Sequence, residues 1–381
     1  MRAVVAHAPH DLRLERLPEV ADPGEGEVLV RVVAGGICGS DLHYYHHGGF
    51  GTVRLREPMI LGHEVSAVIT AVGKGVTRVG PGDLAAINPS MPCGKCEECR
   101  RGLRNECHDM VFSGSAMRFP HAQGMFRDSI IVPEKRVFPV GPGTDAGPAA
   151  LAEPFAVCLH AVKRAGPLLG ATVLVSGCGP IGCLTVAAAR HAGASYIIAC
   201  DVVQEPLAVA ASLGADELVV VAPDASGLDR YKAGKGKIDV AFDCSGHPSA
   251  IATALDCLRP RGRLVAVGLG GPMQFALPSV VTKEIEVIGS FRFDEEFGQA
   301  VDLISRGKVD LSELISHSLP VDEAIAAFDL AGDRRSAMKV QLNFATQQRS
   351  ALQRDRSGDD RIRVSAPKLI PRKFSGPAGA N

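Results

Sequence analysis

The segment "ATVLVSGCGPIGCLTVAAARHAG", residues 171–193, decides the reading of the fold. An apolar run ends in Gly177, Gly179 and Gly182 and gives way to an Ala-rich run of helical character. In the GxGxxG spacing the first glycine makes the tight turn, the second lets the backbone approach a pyrophosphate, and the third allows close helix packing. Pro180 and Ile181 lie between them at the point where the helix begins, and its amino end turns a partial positive charge toward phosphate. Nineteen residues past Gly182, "YIIACD" ends in Asp201, placed to accept hydrogen bonds from an adenosine ribose. The Asp201 charge repels a 2′-phosphate, and no arginine follows it in "DVVQEP", so the sequence favours NAD over NADP.

Outward from this segment the alternation continues. "SYIIACD", "KIDVAFDCSG", "GRLVAVGLG" and "KEIEVIGSF" read as strands, with "EPLAVAASLGA" and "PSAIATALDCLRP" as helices between them. Repeated βαβ units of this kind build a parallel sheet covered on both faces. Upstream, from about 26 to 145, short alternating runs such as "EVLVRVVAGG" and "EVSAVITAVGKG" are cut by Gly and Pro, the texture of an irregular, barrel-like β domain. The helical segments "FGQAVDLISRG" and "DEAIAAFDLAGD" precede a closing strand, "AMKVQLNF". The predicted divisions are 1–150 completed by 292–344, 151–291, and a disordered tail at 345–381 with no sustained periodicity.

The β domain carries two clusters with metal-ligand character. "CGKCEECRRGLRNEC" places Cys93, Cys96, Cys99 and Cys107 as CxxCxxCx7C, which suits a closed tetrahedral zinc site of structural type. An iron-sulfur cluster is the competitor, but the bacterial ferredoxin run has three residues before its last cysteine. In "GGICGSDLHYYHHGG" and "LGHE", Cys38 and His63 are a soft and a borderline ligand on separate elements. A catalytic zinc takes about three protein ligands. Glu64 and Glu153, the latter in "LAEPFAVCLHA", are the acidic candidates for third place. His46 and His47 read as solvated neighbours on a Gly-rich loop, and His121 and His160 are likewise not taken as ligands. Cys158, Cys178, Cys183, Cys200, Cys244 and Cys257 sit in apolar runs as packed hydrophobes.

Five motifs in order, "GGICGSDLHYY", "LGHE", the cysteine run, "AEP" and the GxGxxG, resemble the zinc-dependent medium-chain alcohol and polyol dehydrogenases over residues 1–344. The resemblance implies a GroES-like irregular β-barrel catalytic domain and a Rossmann doubly wound parallel-sheet domain. It implies two zinc ions per subunit, a catalytic one on Cys38, His63 and Glu153 and a structural one on the cysteine run. Glu153 stands where the classical branch has a cysteine, and Glu64 is the alternative third ligand. By the same resemblance Ser40 and His43 form a proton relay, Asp41 orients the ligand loop, and Tyr44 and Arg292 of "GSFRF" face substrate, with Arg118 of "SAMRFPH" a second cation for a carboxylate. The implied activity is NAD-dependent oxidation of a secondary alcohol in a sugar acid such as L-idonate. Sorbitol, another alditol or a diol is the alternative substrate, and a catalytically silent member is the least favoured reading. Homo-oligomers, dimers or tetramers, are implied too.

Composition agrees with a small-molecule partner. The 41 Lys and Arg against 42 Asp and Glu leave no basic footprint for nucleic acid. No apolar run approaches the roughly 18 residues of a spanning helix, and the start, "MRAVVAHAPHDLRLERLPEV", lacks a signal peptide's pattern, so a cytoplasmic protein is expected. An odd number of cysteines, 11, in a long chain suits reduced thiols.

Overall fold

The computed structural model describes residues 1–221, 226–274 and 276–345; the expected tail therefore lies, apart from Ala345, outside the described residues. Six parallel strands form one sheet in the order Glu217–Val220, Tyr196–Asp201, Thr172–Ser176, Ile238–Asp243, Leu258–Ala266, Glu286–Gly289. The chain starts in the middle, runs to one edge, then returns and runs to the other. This order creates a crevice at the carboxyl ends of Thr172–Ser176 and Ile238–Asp243, where ligands bind in doubly wound sheets. Central strands are apolar on both faces because helices cover both: Val173 and Val175 enter one core with helices Ala152–Ala165 and Pro180–His191, while Leu174 and Ile198 enter another with Pro248–Cys257. The edge strand Glu217–Val220 was not among the strands read from sequence; it is short, with only Val219 buried.

The second large sheet has seven strands, ordered Val137–Pro139, Leu84–Ile87, Glu64–Val72, Glu27–Gly36, Lys339–Asn343, Ile315–Pro320, with Ser129–Pro133 also paired to Glu27–Gly36. Glu27–Gly36 holds the assembly together. Its amino half pairs with Ser129–Pro133, its last residues pair with Lys339–Asn343, and its other edge carries Glu64–Val72. Val28, Val30 and Val32 alternate into the core beside Ile69 and Phe126. The segment after Glu64 and the closing strand are thus joined through one ladder. Helix Ala152–Ala165 passes between the two sheets' cores and begins with Glu153 in its first turn. Among the described residues, no helix is long and apolar enough to cross a membrane.

Candidate active site and metal centres

Cys38 precedes helix Gly39–His47, and His63 precedes strand Glu64–Val72. Asp41 ties the two together: its carboxylate accepts the Cys38 N–H at 3.0 Å and the Gly62 N–H at 3.1 Å, and lies 3.7 Å from His63 Nδ1. Gly62 is required there, because its φ is +91° and an added Cβ would sit 2.1 Å from the Phe126 ring. Ligand atoms of Cys38, His63 and Glu64 all lie within 4.8 Å of one another. Burial alone would lower the His63 pKa, but the carboxylate of Asp41 and the thiol of Cys38 raise it well above the ordinary imidazole range. The site is therefore built to attract positive charge. The Nδ1 of His63 is the nitrogen turned toward Asp41, at a distance too long for a hydrogen bond, an arrangement in which the carboxylate orients the ring and makes it a better ligand through its other nitrogen.

The two acidic candidates differ in what already holds them. Both oxygens of Glu64 accept from Lys339 Nζ, at 2.9 and 2.8 Å, and that lysine also donates to the Ile37 carbonyl at 3.1 Å. Glu153 is buried with no ion-pair partner among the described residues. Burial pushes its carboxyl up to about 7, against the pull of His63. Lys339 was not identified from sequence, where it reads as one lysine in a closing strand.

Ser40 and His43 lie one turn apart on helix Gly39–His47, so both face the same side. Burial, with His47 and His46 nearby, lowers the pKa of His43 and favours its neutral form. His46 and His47 stand in the last turn of this helix rather than on a glycine loop: Gly48, at φ +64°, is the cap that ends it. Tyr44 is buried, and its hydroxyl accepts the Ala116 N–H at 3.0 Å.

Beside these groups lies a cleft of about 230 Å³ lined by Glu106, Phe112, Ser115, Met117, Arg118 and Arg292, among others. Phe112 is its link to the metal cluster, with its ring 5.5 Å from that of His63 and 4.5 Å from the Arg292 guanidinium above it. Arg292 has φ +55°, a strained conformation for an arginine, and touches the Met117 sulfur at 3.0 Å. No carboxylate pairs with it among the described residues, whereas Arg118 is 3.4 Å from Asp109.

The sulfur atoms of Cys93, Cys96, Cys99 and Cys107 gather within 4.8 Å, with Cys96 and Cys107 Sγ 3.9 Å apart. A tetrahedron with Zn–S bonds of about 2.3 Å has edges of about 3.8 Å, so the four thiols fit zinc. Backbone N–H groups lower the Cys96 thiol to about 6.

At the parallel sheet, Gly179 precedes helix Pro180–His191 and Pro180 is its first residue, where a missing N–H is harmless. A Cβ on Gly182 would lie 1.8 Å from the Gly177 carbonyl, while one on Gly179 would meet nothing within 4 Å. The third glycine is thus needed for packing and the second leaves open space where a pyrophosphate fits. Asp201, buried at the end of Tyr196–Asp201, accepts the N–H of Cys178 at 2.6 Å and of Val203 at 3.0 Å. It also meets Arg334 Nη2 at 3.3 Å, a neighbour absent from "DVVQEP".

Comparison with known proteins agrees with this construction. Residues 24–142 match the model of the alcohol dehydrogenase GroES-like domain and 180–306 that of the zinc-binding dehydrogenases. The chain is 42% identical over 327 residues to the L-idonate 5-dehydrogenase (NAD(P)(+)) of Escherichia coli, covering 86% of this chain and 94% of the relative. It is 34% identical to the sorbitol dehydrogenase of Bacillus subtilis, covering 87% and 93%. The crystal structure of the Escherichia coli L-idonate 5-dehydrogenase superposes with a TM-score of 0.85 at 40% identity, covering 90% of this chain and 97% of that one. The two-sheet fold, its cysteine cluster and its glycine turn therefore have one family in common, and the chain belongs to the zinc-binding dehydrogenases.

Proposed function

We propose that this dehydrogenase oxidises a secondary alcohol of a sugar acid with NAD(P), the substrate being L-idonate and the product 5-keto-D-gluconate. The observation that carries the substrate class is Arg292, a cation in no direct ion pair among the described residues, with Glu153 and Glu106 acting on it only through space, held over the cleft one aromatic ring from His63. A substrate carboxylate completes that pair. Arg118, already beside Asp109, is the second cation of the cleft.

Cys38 and His63 with Glu153 would hold the catalytic zinc, although the carboxylate that lies within 4.8 Å of both Cys38 and His63 is that of Glu64, and Cys93, Cys96, Cys99 and Cys107 would hold the structural one. Glu153 is preferred over Glu64 because Lys339 forms a direct ion pair with Glu64, whereas Glu153 is buried with no direct ion pair among the described residues, His63 and Lys339 acting on it only through space. A zinc ion held there would supply polarisation of the substrate hydroxyl, and a nicotinamide bound beside it would supply the hydride acceptor. Ser40 accepts the hydroxyl proton and passes it to the neutral His43 at the surface. Tyr44 backs the cleft from the buried side through the Ala116 N–H rather than lining it, Asp41 fixes the Cys38 and His63 segments, and Gly177, Gly179, Pro180, Ile181, Gly182 and Asp201 bind the dinucleotide. Residues 1–150 with 292–344 form the catalytic domain and 151–291 the nucleotide domain. The strand membership of the two large sheets supports that division.

The chain assembles as a homo-oligomer through the nucleotide domains. The edge strand Glu286–Gly289 and helix Leu277–Lys283 present Val287, Leu277 and Val281 to solvent, which supports this. All 11 cysteines are free, as suits the reducing cytoplasm.

The test follows NADH formation with L-idonate and with sorbitol at equal concentration, for the native chain and Arg292→Ala. A preference for L-idonate that Arg292→Ala reduces by roughly 10- to 100-fold in kcat/KM is expected. A native preference for sorbitol moves the chain to neutral polyols and removes the carboxylate role of Arg292.

A further inference from the structure

The absence of arginine in "DVVQEP" is a local fact, and the fold changes its meaning. Arg334 follows helix Ala324–Gly332, on the far side of the sequence, and brings its guanidinium to Asp201 across 133 positions. A built turn holds it there. Asp333 accepts the Arg335 N–H at 3.1 Å and the Ser336 hydroxyl at 2.6 Å, and the Asp333 and Ala337 N–H groups close onto carbonyls of Leu330 and Asp333.

The two partners are unequally exposed. The Asp201 side chain is 2% accessible and already takes two backbone N–H groups, so it cannot move. Arg334 is 59% accessible, so its guanidinium can turn from Asp201 to a group entering from solvent. The two backbone N–H groups, which stay when Arg334 turns away, also offset part of the charge that would otherwise repel a phosphate. Glu205, exposed at the start of helix Glu205–Ser212, is the remaining acid nearby in sequence, and Arg335 is a second exposed cation beside Arg334.

We propose that Arg334 is a specificity-determining residue that binds the 2′-phosphate of NADP and lets this chain use NADP as well as NAD. With NAD, the ribose hydroxyls donate to Asp201 while Arg334 stays on that carboxylate. With NADP, the guanidinium leaves Asp201 and forms paired N–H···O bonds to the phosphate. The assignment rests on the dehydrogenase reading only for the identity of the ligand.

The experiment compares the native full chain with Arg334→Ala and Arg334→Lys. Steady-state kinetics with L-idonate give kcat/KM for NADP and for NAD, and calorimetry gives the Kd of 2′,5′-ADP and of 5′-AMP. In Arg334→Ala the NADP to NAD ratio falls by roughly 10- to 100-fold, and 2′,5′-ADP weakens relative to 5′-AMP by the same factor. Arg334→Lys lies between, since an ammonium keeps the charge and loses the fork. A ratio unmoved by either variant, or a native chain that binds 2′,5′-ADP no better than 5′-AMP, overturns the proposal. If neither L-idonate nor sorbitol is oxidised yet 2′,5′-ADP binding still depends on Arg334, the substrate reading fails and the Arg334 assignment stands.

Discussion

Lys339→Met tests whether the buried pair beneath the metal cluster is a structural necessity. Lys339 and Glu64 are 3% and 1% accessible, and Nζ lies 2.8 Å from the nearer carboxylate oxygen. The substitution keeps the aliphatic stem but leaves Glu64 as a buried carboxylate without a cation. Breaking such a pair from one side costs about 3–5 kcal/mol, because the remaining charge keeps its desolvation penalty. Glu64→Gln removes that charge, so the double variant regains stability relative to the sum of the single losses, with a coupling of about 0.5–3 kcal/mol. Burial alone would lower the Lys339 pKa, yet Glu64 and Cys38 raise it above 10.5. A lysine raised in the folded state contributes fully below its unfolded value and loses that contribution only as pH rises through the folded one, so measurements at pH 7–8 read the whole effect. The chain has no tryptophan, so far-UV circular dichroism follows the urea transition. Zinc-loaded protein is expected to lose less than zinc-stripped protein, since Glu64 is within 4.8 Å of Cys38 and His63 and can turn to the ion. A Lys339→Met variant within about 1 kcal/mol of native, or strict additivity with Glu64→Gln, refutes the reasoning.

Gly182→Ala places a methyl 1.8 Å from the Gly177 carbonyl, and neither backbone can yield without opening the turn. NADH affinity, read by fluorescence titration, is expected to drop at least about tenfold, and native affinity would show the packing argument to be mistaken. Glu296 is held well below the carboxylate range: burial alone would raise it, and His160, the Asp294 N–H and Lys163 outweigh that. A depressed carboxylate contributes above its unfolded value of 4.5 and loses the contribution as pH falls toward the folded one. Glu296→Gln is therefore less stable than native at pH 7 by thermal melting, and the gap narrows between about pH 5 and 3; a gap independent of pH contradicts the assignment.

Features enforced by residues close together in the chain are legible in the sequence. A turn that must pass a pyrophosphate needs its glycines in fixed positions, and four thiols closing on one ion need a short loop; each leaves a local signature in the chain. Ion pairs leave none. Lys339 reaches Glu64 across 275 positions and Arg334 reaches Asp201 across 133, and either cation alone is an ordinary charged residue near a strand or turn. The sixth strand, Glu217–Val220, was weak for another reason: on the sheet edge it buries little, so the apolar run that marks an inner strand is missing. His46 and His47 misled through their glycine neighbours, which end a helix there rather than form a loop.

The cysteine loop has a consequence beyond its own stability. Its second half reaches the segment that bears Arg292: Arg104 Nε donates to both oxygens of Asp294 at 2.9 and 2.8 Å, and Asn105 Nδ2 donates to the Phe291 carbonyl at 3.1 Å. These contacts bracket a residue at φ +55°, a conformation that costs about 1–3 kcal/mol and persists only where the surroundings over-determine it. A neutral hydrogen bond returns about 1 kcal/mol and one between charged groups somewhat more, so the two attachments are of the size needed to hold the strain. The four gathered thiols and the loop's own backbone hydrogen bonds fix the position from which Arg104 and Asn105 act. The loop that carries the cysteine cluster thereby braces the segment of the cation over the cleft, and Arg104 and Asn105 are placed to support the substrate preference proposed for Arg292.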